Sequence, residues 1–96
     1  MDSRRLIASS CRQKILETLS KVGETYLMDL VRRVNSTYTQ VNRNLQILEK
    51  EGIIKVRSVG RLRMIRLDRE NPKTDIILKA LRMLRDLEAT PTQRSE

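Results

Sequence analysis

The chain has no histidine, no phenylalanine and no tryptophan, one cysteine, and only three glycines and two prolines among its 96 residues. Without histidine there is no Ser-His-Asp or Cys-His nucleophile pair and no imidazole switch near neutral pH. The single thiol, Cys11, closes no intramolecular disulfide. With no histidine to join it, it builds no zinc cluster, so no metal and no cofactor is expected. Gly23, Gly52 and Gly60 lie too far apart to form a phosphate-cradling loop. Carboxylates remain, but Asp29, Glu49, Glu51, Asp68 and Glu70 fall on expected helices and turns, where charge is solvated, and nothing pairs them with a nucleophile. The chain is therefore not expected to be an enzyme. With two tyrosines as its only aromatics, its core must come from Leu, Ile, Val and Met. No apolar run approaches the roughly 18 residues that cross a bilayer, and the start, Met-Asp-Ser-Arg-Arg, lacks the apolar stretch of a secretory signal. A cytoplasmic chain with no membrane partner is expected.

What is present is positive charge in one place. The net charge is +8. Residues 1–30 carry five basic and four acidic side chains, residues 31–66 nine and two, and residues 67–96 six and six, so the middle third holds almost all of the excess. Charge concentrated in this way is the footprint of a polyanion-binding surface. The length fits one domain, expected over residues 1–88, with a polar, flexible tail at 89–96. A chain this short buries only about 60–65% of its unfolded surface, which makes self-association a useful source of further burial.

Apolar spacing divides the domain into elements. Ile15, Leu16, Leu19 and Val22 recur at helical intervals in a first helix from Ser3 or Ser10 to Lys21, with a break capped by Ser9 or Ser10 and a stop at Gly23. Thr25-Tyr26-Leu27 favours a very short strand. A second helix, Met28 to Val34, turns Leu27, Leu30, Val31 and Val34 inward and Asp29, Arg32 and Arg33 outward, and ends at Asn35, which tolerates a left-handed backbone. Thr37-Tyr38-Thr39-Gln40 fits a capping box. It opens a third helix that buries Val41, Leu45 and Leu48 and stops at Gly52. A Gly60-Arg61 turn of type II′ then pairs Ile54 with Leu67, Val56 with Ile65 and Ser58 with Arg63, placing the apolar pairs on one face and Lys55, Arg57 and Arg66 on the other. After Asn71-Pro72, capped by Asn71 or Thr74, a last helix spans 73–88. The fold class is mostly α with a small β-wing (α+β), in the order α-β-α-α-β-β-α.

The stretch Leu30 to Leu67, and above all Val41-Asn42-Arg43-Asn44-Leu45-Gln46-Ile47-Leu48-Glu49-Lys50-Glu51-Gly52-Ile53-Ile54, resembles the winged helix-turn-helix of prokaryotic regulators of the ArsR and MarR type. The resemblance implies a DNA-binding transcriptional regulator, expected to be a repressor, whose third helix, 37–51, reads the major groove while the wing, 54–67, touches backbone or minor groove. It carries no indication of a small-molecule effector, and the chain lacks the Cys and His clusters of metal-sensing members. On the helix, the polar positions left outward are Tyr38, Thr39, Gln40, Asn42, Arg43 and Gln46. Gln40 or Asn42 suits adenine, and Arg43 suits guanine or a phosphate. On the wing, Arg57, Arg61 and Arg63 are the candidates for phosphate or minor-groove contact.

The last helix is apolar on two sides, with Ile77, Leu81 and Leu84 on one and Ile76, Ala80, Met83 and Leu87 on the other. More than one domain's core is needed to cover both, so these residues are the expected seat of a homodimer. Cys11 reads as a small apolar side chain, with an intersubunit disulfide as the sharper alternative. Two other functions use the same features: an architectural, chromatin-like DNA-binding protein, or a winged-helix protein-interaction module.

Overall fold

Local chemistry sets each element boundary in the computed structural model, which describes residues 9–89. Helix α1 (Ser10–Val22) is capped by the Ser9 hydroxyl, which accepts the Arg12 N–H at 3.3 Å. Strand β1 (Glu24–Tyr26) leads into α2 (Leu27–Val34), which ends at Asn35 in the left-handed region (φ 55°). Helix α3 (Tyr38–Lys50) begins where the Thr37 hydroxyl accepts the Gln40 N–H at 3.1 Å. The capping box is half made, because the Gln40 side chain stays exposed instead of reaching back. Strands β2 (Ile54–Val59) and β3 (Leu62–Leu67) form the hairpin, and α4 (Pro72–Ala89) follows. This is the α-β-α-α-β-β-α order read from the sequence. The expected leading turn before Ser9 and the tail beyond Ala89 lie outside the described residues.

The end of α3 and the start of α4 are tied together. Gly52 has φ +79°, and a Cβ there would stand 2.8 Å from the Asn71 side-chain nitrogen, so glycine is required for conformation and for space. The Asn71 amide donates to the Gly52 carbonyl at 2.8 Å while its Oδ1 accepts the Lys73 N–H at 3.0 Å, capping α4. Thr74, the other candidate cap, is buried and donates to the Ile53 carbonyl.

The sheet order is β1-β3-β2, all antiparallel. Ile54 faces Leu67, Val56 faces Ile65 and Ser58 faces Arg63, in the expected register. Gly60 takes φ +60° with Arg61 on the negative side, the pattern of a type II′ turn. β1 pairs with β3 from Glu24–Arg66 to Tyr26–Met64. One core joins Ile15, Leu16 and Leu19 of α1, Leu30 and Val34 of α2, Val41, Leu45 and Leu48 of α3, the inner sheet face and α4.

Three expectations fail. Val22 is exposed, because the helix ends there and the chain turns into β1. Asp29, expected outward, is 8% exposed, because Thr25 and two arginines close over it. On α4 the core face is Ile77, Leu78 and Leu81, while Leu84 lies past the last core residue and is exposed. Ile77 and Leu81, expected among the dimerisation residues, are 1% and 4% exposed and offer a partner no surface.

Candidate nucleic-acid interface

The Thr37 cap and the inward row Val41, Leu45 and Leu48 together fix the rotation of α3, leaving Tyr38, Thr39, Gln40, Arg43 and Gln46 exposed and Asn42 half-buried. Asn44 is buried and turns back on its own helix, donating to the Gln40 carbonyl at 2.8 Å. Asn42 is only partly covered because it meets the hairpin: Arg63 Nη1 donates to Asn42 Oδ1 at 3.4 Å. That bond joins two candidate residues from elements 21 positions apart. A shallow depression beside it is lined by Tyr38 of α3, Met28 of α2, and Arg61, Leu62 and Arg63 of the hairpin. The N-terminal half of α3 and the arginine-bearing hairpin end therefore adjoin.

No family model and no curated protein matches the chain. Solved structures do. The homodimeric winged helix-turn-helix DNA-binding domain of a possible ArsR-family transcriptional regulator from Mycobacterium bovis superposes with TM-score 0.73 at 18% identity, over 98% of this chain and 84% of that one. The transcriptional repressor BigR from Xylella fastidiosa does so with TM-score 0.73 at 18% identity, over 94% and 86%. A possible transcriptional regulator for arsenical resistance gives 0.69 at 25% identity, over 97% and 99%. The fold is the winged helix-turn-helix of ArsR- and MarR-type regulators.

Within this winged helix the cations have unequal freedom. Arg57, a candidate from the sequence, forms a fork with Glu24, Nε to Oε2 at 2.9 Å and Nη2 to Oε1 at 3.0 Å. The bond from Arg57 holds the Glu24 carboxyl below its ordinary pKa and raises that of the guanidinium in return. Almost no acid was expected among the wing arginines, but Glu24 comes from β1, 33 positions away, and reaches Arg57 only once β1 joins the sheet. Arg61 and Arg63 have no acidic partner among the described residues, nor does Arg43 on α3.

Asp29 absorbs two further cations. Its carboxylate accepts Thr25 Oγ1–H at 2.5 Å, Arg33 Nε–H at 2.6 Å and Arg32 Nη2–H at 3.0 Å. The Thr25 bond, followed by those from Arg33 and Arg32, holds it at about 2. Sequence reading missed this cluster. The Thr25/Asp29 and Asp29/Arg33 spacings of four were available as signals, but only the β1–α2 junction shows that they converge. Glu51, the C-cap of α3, is engaged by Lys73 Nζ at 2.7 Å, which lowers its pKa and pins the helix end to α4.

Ile76, Met83, Leu84 and Leu87 form an exposed apolar strip along α4, with Ala80 half-buried between its turns. Cys11 is half-buried against the core, its Sγ donating to Ser36 Oγ at 3.9 Å. Among the described residues no three His, Cys, Asp or Glu side chains are grouped to hold a metal ion, and no helix is long and apolar enough to cross a membrane.

Proposed function

We propose that this chain is a sequence-reading DNA-binding transcriptional regulator of the cytoplasm that represses by occupying its site. The observation that carries the reading is the Arg63–Asn42 contact, since it sets the wing beside the recognition helix within reach of one duplex. With the N-terminal half of α3 in the major groove, Gln40 and Asn42 meet base edges suited to adenine. Gln40 is free to do so because it does not complete the capping box. Arg43 reaches a guanine or a phosphate, and Arg61 and Arg63 the backbone or the adjacent minor groove. Arg57 is engaged by Glu24 across β3 and is the least available of the wing arginines.

The exposed strip Ile76, Met83, Leu84 and Leu87 supports a homodimer, the assembly named for the Mycobacterium bovis domain. A two-fold axis through α4 sets two recognition helices about one DNA turn, roughly 34 Å, apart on a pseudo-palindrome. The test is selection of binding sites from random duplex DNA at two salt concentrations. Enrichment of a two-fold site supports the proposal. Salt-sensitive binding without enrichment would point to an architectural protein, and absence of binding at low salt overturns the reading.

A further inference from the structure

The end of the wing carries two apolar side chains that groove reading and phosphate contact leave without a role. Val59 and Leu62 are the last cross-strand pair before the Gly60–Arg61 turn, and each is 46% exposed. They are not needed for register, which the core-facing Ile54–Leu67 and Val56–Ile65 pairs already specify. Nor does β1 cover them. Its pairing with β3 stops at Met64, so the ribbon beyond is two-stranded. Leu62 borders the depression shared with Tyr38 and Met28 and is otherwise open. Beside the pair stand Arg61 and Arg63, neither with an acidic partner among the described residues.

Met28 and Tyr38 are also exposed around that depression, but the arginines without acidic partners beside the wing end favour a polyanion over a protein face for Val59 and Leu62. The pair suits an insertion between stacked bases. We propose that Val59 and Leu62 form a wedge that enters the minor groove beside the half-site, partly unstacks one base step and bends the duplex, with Arg61 and Arg63 on the flanking phosphates. The inference rests on the DNA-binding reading and deepens it. The DNA occupant is argued from charge complementarity and from continuity with the recognition helix through Arg63 and Asn42. Apolar wedges flanked by cations pry open base steps in this way, kinking duplexes by roughly 20–90°. Pyrimidine–purine steps unstack most readily, so the wing selects for such a step at a position where no base edge is read.

The test uses the full chain and the duplex enriched by selection, labelled at both ends for energy transfer and, separately, carrying 2-aminopurine at each step outside the half-sites. The wild-type chain is expected to shorten the end-to-end distance and brighten 2-aminopurine at one step per half-site. A Val59→Ser/Leu62→Ser chain loses both signals and the pyrimidine–purine preference. It binds several-fold more weakly with an unchanged salt slope, because no cation is removed, while Leu62→Met keeps the bend. Wild-type binding without bending or brightening overturns the wedge and leaves the regulator reading standing. So does a double variant that bends like the wild type, or one whose only defect is a changed oligomeric state without DNA. Failure of the wild type to bind any duplex sinks the regulator reading itself.

Discussion

On the proposed interface, replacing the arginines of α3 and the wing tests which of them meet phosphate and which are held within the protein. Arg43, Arg61 and Arg63 lack an acidic partner among the described residues, whereas Arg57 is forked onto Glu24. Each arginine that neutralises one phosphate adds about −0.9 to the slope of log K against log salt, so three give about −2.7 per protomer and two protomers about −5.4. A slope of that size weakens binding roughly two-thousand-fold between 50 and 200 mM monovalent salt. Arg61→Ala with Arg63→Ala should reduce the slope to about −0.9 per protomer. Arg57→Ala should change affinity little and leave the slope unchanged, since Arg57 already has its counter-ion and the pair is an exposed one across β3. Fluorescence anisotropy of a labelled duplex over a salt series measures all of these. The reasoning is refuted if Arg57→Ala flattens the slope as much as Arg61→Ala, or if the double variant keeps the wild-type slope.

Thr37→Ala removes the hydroxyl that accepts the Gln40 N–H; it should cost about 1 kcal/mol by urea denaturation and weaken DNA binding through a frayed recognition-helix start. Asp29 titrates at about 2 in the fold against an ordinary 3.8. Its depressed pKa means that its stabilising contribution is complete above the ordinary value and is lost as pH falls from there toward 2. Asp29→Asn should therefore be less stable at neutral pH and show a flatter acid limb, and denaturation midpoints across pH 2–5 that parallel the wild type would contradict the assignment. Met83→Ser with Leu87→Ser, at positions 63% and 71% exposed, should move sedimentation from dimer to monomer without loss of helical circular dichroism. An unchanged sedimentation profile removes this surface from the dimer.

Much of the frame was legible because its signals are local. Ser9, Thr37 and Asn71 act on backbone groups two or three residues away, and Asn35 and Gly52 answer a conformational demand at their own positions. Alternating side chains fixed the hairpin register, since a slip of one residue would send Ile54, Val56, Ile65 and Leu67 to the solvent face. On α4 the same kind of reasoning reached its limit. Periodicity separates two apolar stripes but does not say how far the core extends, and of the seven residues it offers to a partner the core takes Ile77 and Leu81.

By itself, then, the order of residues determined the element sequence, the hairpin pairing and the position of the positive charge, all of which follow from short-range periodicity, caps and composition. Which cations are free was decided only in three dimensions. Glu24 meets Arg57 from 33 positions away and Asn42 meets Arg63 from 21, whereas Arg32 and Arg33 reach Asp29 within α2 and only Thr25 joins them from β1. Charge can be counted along a chain, but an ion pair is a matter of a few ångströms, and the packing of the core brings those atoms within reach.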